Sequence, residues 1–204
     1  MFESNKFLQT PYTDNGCFYS ITKLRNSNTT AVSDYFKYEK FNQGIYIDIF
    51  PLDTYNKDCL EEKFCLIKNF IGDLSTYMRR NNPELNDAQL ERVRNYSGRD
   101  PYVTYDLIQQ LCRADENRSC EYKGILVVGV YDVMKQSYPS KYWDEYETID
   151  FYGIQVPIPK HYHEILRQTY GDYMSYPPPE SRGVWHVGAT IDPDRPYTDY
   201  LCRL

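Results

Sequence analysis

Several features are missing from this chain, and each absence closes off a class of function. There is no basic excess: 23 Lys and Arg stand against 29 Asp and Glu, for a net charge of -6. A surface that tracks nucleic-acid phosphates needs the opposite balance, which argues against broad nucleic-acid binding. No apolar run approaches the roughly 20 residues that a bilayer-crossing helix requires. The start, Met1-Phe2-Glu3-Ser4-Asn5-Lys6, is too polar for a signal peptide, so a soluble, intracellular chain is expected. The six cysteines, Cys17, Cys59, Cys65, Cys112, Cys120 and Cys202, form no C-x-x-C pair and do not cluster with histidine. Neither a zinc ribbon nor a redox motif is supported, and reduced, mostly buried thiols are expected. There is no internal repeat.

What is present is a chain of 204 residues, long enough for one domain with a real core, so residues 1–204 are read as a single unit. Tyrosine is unusually frequent at 22 residues. Most of these rings must pack the sheet and its rim, although a ring with a hydroxyl also suits stacking on a sugar or base at a polar cleft.

The chain is organised around Gly44-Ile45-Tyr46-Ile47-Asp48-Ile49-Phe50-Pro51-Leu52-Asp53. Residues 45 to 50 are almost all β-branched or aromatic and are bounded by Gly44 and Pro51, which predicts a short buried strand. Asp48 breaks that pattern. A carboxylate between two isoleucines must reach water or be held by a cation, because burying it unpaired costs several kcal/mol by general estimates, or forces its protonation. It therefore reads either as the wet face of an edge strand or as a metal ligand.

Before this stretch, Cys17 to Ile21 forms a short apolar piece that predicts a strand. It leads into Thr22-Lys23-Leu24-Arg25-Asn26-Ser27-Asn28-Thr29-Thr30. Lys23 and Arg25 are two apart and would share one side of a strand, and the small hydroxyl and amide residues after them favour a loop. Such a pair either holds a phosphate, Arg by its fork and Lys as a point charge, or belongs to a solvated loop.

After it, Leu60, Phe64, Ile67, Ile71, Leu74 and Met78 recur at three- and four-residue steps and predict a long core-facing helix, opened by Asp58 and Glu61 and stopped before Asn82-Pro83. A short polar helix is expected over residues 83 to 98. A further one starts at Asp100-Pro101 and runs through Val103, Leu107 and Leu111. Gly124 to Tyr131 reads as a central strand. Tyr142 to Phe151 and Ile154 to Pro159 read as a hairpin about Tyr152-Gly153, followed by a short helix from Lys160 to Tyr170 that Gly171 stops.

Among other constellations, His161 and His163 are two apart on a helix and do not face one another, so a shared metal is not expected. His186 lies in a loop-like aromatic context beside Trp185 and is the histidine best placed to contact a substrate phosphate or act as an acid. Glu145 and Glu147 line up along one strand rather than flanking a bond, which discounts glycoside hydrolysis.

Three ordered stretches together resemble the LicD-type phosphotransferases, relatives of the fukutin proteins. They are Lys23-Leu24-Arg25 with Asn28-Thr29; Gly44 to Asp53; and Val156-Pro157-Ile158-Pro159, then Leu166, Tyr170-Gly171-Asp172-Tyr173-Met174, Pro177-Pro178 and a late His186. The resemblance covers about residues 15 to 186, leaving 187–204 as a tail. It implies an α/β (α+β) nucleotidyltransferase-like fold, a mixed sheet with flanking helices. The implied activity moves a phosphorylated alcohol, typically phosphocholine from a CDP-choline-like nucleotide donor, onto a cell-surface glycan, teichoic acid or lipopolysaccharide precursor.

Mg²⁺ or Mn²⁺ is the implied cofactor, with Asp48 as catalytic metal ligand and Lys23, Arg25, Asp53, Asp172 and His186 around the substrate. The implied location is cytoplasmic, at the inner face of the membrane where peripheral contact runs through the acceptor. The family's leading Asp-rich segment has no counterpart in residues 1 to 43, where Asp14 and Asp34 stand alone. The fold is therefore expected to be incomplete on its N-terminal side, and the alternative reading is a catalytically incomplete module that binds glycan or nucleotide, or an accessory subunit.

Overall fold

The computed structural model describes residues 5–56, 60–96, 98–116, 118–127, 137–183 and 188–202. Its strands are β1 (Lys6–Gln9), β2 (Thr22–Asn26), β3 (Thr30–Ser33), β4 (Ile45–Ile49), β5 (Asp53–Tyr55), β6 (Tyr122–Gly124), β7 (Tyr138–Pro139), β8 (Tyr146–Phe151), β9 (Ile154–Pro159) and β10 (Ala189–Asp192). The helices are α1 (Leu60–Met78), α2 (Asp87–Tyr96), α3 (Pro101–Arg113) and α4 (Tyr162–Tyr170). The expected α+β content is present. In place of one mixed sheet, the described strands form four small sheets, ordered β1-β2-β4, β10-β3, β5-β6-β7 and β8-β9, with every pairing antiparallel.

The helices follow the apolar spacing. α1 buries Phe64, Ile67, Leu74 and Met78 along one stripe. Its expected opening at Asp58 lies outside the described residues. α2 starts on a reciprocal cap, in which Asn86 Oδ1 accepts from the Gln89 N–H at 3.0 Å and Gln89 Oε1 accepts from the Asn86 N–H at 2.9 Å. α3 starts on Asp100, whose side chain accepts from the Tyr102 N–H. It buries Thr104, Tyr105, Ile108 and Cys112, and Val103 and Leu107 are exposed. The face that meets α1 is thus about one position away from the stripe expected from Val103 and Leu107. α1 and α3 close over Phe18, Tyr55, Leu126 and Val127 to form the main core, where Phe18 meets Tyr77 and Tyr102 edge-on at 5.4 and 5.0 Å.

Three local expectations are corrected. Residues 17–19 are irregular core chain, and the strand begins at Thr22, because Cys17 and Phe18 on consecutive positions are both buried. A strand buried on one face would alternate. Among the described residues of the apolar run from Gly124, only Gly124 is strand. Leu126 and Val127 are fully buried without strand pairing, and 128–136 lie outside the described residues. The strand at 45–49 exists, but with its burial inverted: Ile47 and Ile49 are 67% and 47% exposed, and Asp48 is turned toward the packed side.

The hairpin β8-β9 turns on Tyr152 and Gly153, both at positive φ (52° and 82°), as a two-residue turn between strands requires. All of β8 is exposed. No described helix is long and apolar enough to cross a membrane.

Candidate anion-binding cavity

β2 is where the sequence pattern and the packing part company. Its side chains alternate, and the inward set consists of Lys23 and Arg25, at 5% and 2% exposure. β4 pairs with β2 in antiparallel register, which sets Asp48 opposite Lys23 and Tyr46 opposite Arg25. Two cations, one carboxylate and one tyrosine therefore share a face. Gly44 brings β4 this close: a Cβ there would lie 2.0 Å from the Asn26 carbonyl oxygen.

The Lys23 ammonium contacts Asp48 Oδ1 and lies 3.8 Å from the Tyr46 ring centre and 4.8 Å from that of Tyr19. The Arg25 guanidinium carbon is 4.7 Å from the Tyr46 ring centre and 6.0 Å from that of Tyr19. Each such cation–π contact is worth about 0.5–1 kcal/mol exposed, and more when desolvated. Arg25 donates through Nη1 to the Gly44 carbonyl at 2.7 Å and through Nε to Gln9 Oε1. Gln9, almost fully buried, in turn donates to Asp14 Oδ2 at 2.6 Å and to the Asn42 carbonyl at 2.8 Å. Arg25 is thus linked to the Asp14 carboxylate through the Gln9 amide.

Burial pushes the Lys23 ammonium below its ordinary pKa, against the pull of Asp48. It lowers the Arg25 guanidinium as well, and raises the Tyr19 and Tyr46 phenols. Two cations share this face with one carboxylate, and Asp14 stands one amide further from Arg25; burying charge that is not directly paired costs several kcal/mol by general estimates.

The β3-β10 pair lies beside β4. The Ile45 N–H donates to Thr29 Oγ1 at 2.8 Å and the Ala31 N–H to the Gln43 carbonyl at 2.7 Å. Between these sheets lies a cavity of about 410 Å³, walled by Tyr19, Tyr35 and Tyr46, with Arg25, Ser33 and Gln43 as polar groups. A tyrosine-walled cavity with a buried guanidinium is suited to an anionic group attached to a planar or apolar body.

The other expected site residues are elsewhere. Asp53 lies on β5 opposite Gly124, where its Oδ2 accepts from the Leu126 N–H at 3.2 Å, and burial raises its pKa. Asp172 is exposed, accepts from Ser175 Oγ, and belongs to a second pocket with His163, Arg167 and Tyr173 that shares no lining residue with the first. His186 lies outside the described residues. His161 stacks on Tyr142 at 5.0 Å.

Among the described residues, no three His, Cys, Asp or Glu side chains come together to hold a metal ion. Asp48, the expected Mg²⁺ or Mn²⁺ ligand, is engaged by Lys23 with Arg25 one position beyond, and this donor set does not fit a divalent ion. Sequence reading missed Gln9, Tyr19, Gln43 and Tyr46. Only Tyr46 carried a signal, since it is two residues before Asp48 in the same strand and so shares its face.

Fold and site together describe an α+β protein with a cationic, tyrosine-walled cavity. A stretch of 71 residues is 38% identical to the lipopolysaccharide cholinephosphotransferase LicD of Haemophilus influenzae. It covers 34% of this chain and 26% of that protein, so the match spans about a quarter of the relative's length. The LicD resemblance thus rests on sequence identity over a third of the chain. No protein-family model and no solved structure matches it.

Proposed function

We propose that the chain serves in LicD-type transfer of a phosphorylated alcohol, phosphocholine from a CDP-choline-like donor, onto a cell-surface glycan precursor at the inner face of the membrane. The 71-residue similarity to a cholinephosphotransferase supports the reaction class. The observation that carries the reading is Arg25, a buried guanidinium lining a 410 Å³ tyrosine-walled cavity.

In this reading the donor diphosphate lies against Arg25, and Tyr19, Tyr35 or Tyr46 offers a ring face to the base. The acceptor hydroxyl attacks the choline-bearing phosphorus and releases its proton to water. The bond to the leaving nucleotide breaks, and the charge that grows on it is met by fixed cations.

One observation favours a second reading, a module that binds the donor without turning it over: the described residues bring no metal-ligand set to Asp48. Incubating the full chain with CDP-choline, Mg²⁺ and a lipooligosaccharide acceptor separates the two. Release of CMP with phosphocholine on the acceptor supports transfer. Saturable CDP-choline binding with no CMP released supports the module, and neither outcome occurring rejects both.

A further inference from the structure

The surroundings of Asp48 are those of an anion site. Lys23 stands directly across the strand pair from it, ammonium to carboxylate, and Arg25 follows two residues on along the same face. A divalent ion placed on Asp48 would sit beside that ammonium and would first have to displace it. Arg25 is the opposite case. It is 2% exposed and lines the cavity, and both of its described hydrogen-bond partners, Gln9 and the Gly44 carbonyl, are neutral. It forms no ion pair with a carboxylate among the described residues. A guanidinium has five N–H donors, and Nη2 has no acceptor among the described residues.

We infer that the cavity takes a phosphate-type anion directly on Arg25, with Lys23 adding positive charge from behind the Tyr19 and Tyr46 rings, and that this binding needs no divalent cation. It rests on the proposed reading of the cavity as the donor-phosphate site. Asp48 then acts as a positioning residue, holding the Lys23 ammonium against the ring faces. On this face two cations meet one carboxylate, and Asp14 reaches Arg25 only through the Gln9 amide, so an incoming phosphate would supply the negative charge in direct contact with Arg25. A metal site would show the reverse balance, several carboxylates short of a cation.

The test is titration of the full chain with inorganic pyrophosphate in EDTA, followed by calorimetry and repeated for Asp48→Asn and Arg25→Lys, each checked for folding by circular dichroism. The expected result is saturable binding in EDTA that is retained or tightened in Asp48→Asn, since a repelling carboxylate has been removed while an amide oxygen still accepts from Lys23. Arg25→Lys should weaken binding about tenfold or more, because a point charge replaces a bidentate fork. Binding that appears only after Mg²⁺ or Mn²⁺ is added, or that Asp48→Asn abolishes, overturns the inference, as does an Arg25→Lys variant with unchanged affinity. Should Arg25→Lys fail to fold, the EDTA titration and Asp48→Asn still decide. A chain that binds pyrophosphate in EDTA yet never releases CMP from CDP-choline keeps this inference and loses the transfer reading. One that turns over CDP-choline but binds pyrophosphate only with metal does the reverse.

Discussion

Lys23 and Asp48 are cross-strand partners, directly opposite each other on β2 and β4, and their side chains meet as an ion pair on the packed face of the sheet. The pair is uneven: the lysine side chain is 6% exposed and the aspartate 28%. Water therefore screens the carboxylate end, and the pair is worth less than a fully buried one. Lys23→Met should destabilise the chain by about 1–2 kcal/mol, and the double variant with Asp48→Asn should cost less than the two single changes added together. Urea midpoints of the four chains measure this coupling, and strict additivity would show that the contact contributes nothing.

Gly44→Ala is expected to be the most damaging single substitution near the cavity. The added methyl would fall 2.0 Å from backbone atom Asn26 O, which cannot rotate away, and the Gly44 carbonyl that anchors Arg25 would shift with it. A loss of about 2–4 kcal/mol with collapse of the β2-β4 register is predicted. Hydrogen exchange at β4 amides reads it directly. Protection as in the parent chain would mean that the close approach is not required.

Asp53 is buried beside the core, and burial raises its pKa although the Leu126 N–H opposes the shift. The folded state therefore holds the proton more tightly than the unfolded chain does. Stability contributed by the protonated form is present below the ordinary aspartate range and is lost as pH rises through the raised folded value. Asp53→Asn, which keeps an oxygen for Leu126, should match or exceed the parent at pH 7, and the difference should shrink on acidification. Denaturant midpoints at pH 7 and pH 3.5 test this, and a variant that is much weaker at pH 7 would contradict it.

Asp115 behaves in the opposite sense. Lys63 Nζ, 2.7 Å from Oδ2, holds its carboxyl below the usual range. The resulting stability is present above the ordinary aspartate pKa and is lost as pH falls through the depressed folded value. The pair fastens the start of α1 to the turn after α3, and both side chains are largely shielded, 11% and 16% exposed. Asp115→Asn should cost about 1–3 kcal/mol at neutral pH. Arg118→Ala, which removes a solvated partner of the same carboxylate, should cost under about 0.5 kcal/mol. Equal losses in the two variants would show that burial is not what gives the Lys63 contact its strength.

The helices were legible because each depends on information close in sequence: the 3.6-residue stripe of α1, the Asp100-Pro101 start of α3 and the Gly171 stop of α4. The hairpin was legible for the same reason. The sheet arrangement was not, because the choice between one mixed sheet and four small antiparallel ones is made by pairings that span long separations, such as Thr30 with Asp192. Lys23, Arg25 and Asp48 lie on one face, as side-chain alternation along β2 and β4 in this register requires. Which way that face points was misread. Strand 45–49 looks apolar and buried, and its isoleucines are the exposed side. Asp53 and Asp172 were expected around the substrate, yet the fold gives one a backbone N–H and the other a separate pocket.

The central claim is that the donor's phosphates lie on Arg25 in the cavity between β4 and the β3-β10 pair. The Arg25 Nε–H resonance, titrated with CDP-choline in ¹⁵N-edited spectra, reports on it most directly. A saturable shift of that resonance, following the same binding curve as backbone amides of Tyr46 and Ser33, is the predicted result. A CDP-choline titration that leaves Arg25 unmoved while shifting the amides of Asp172 and Tyr173 would contradict it.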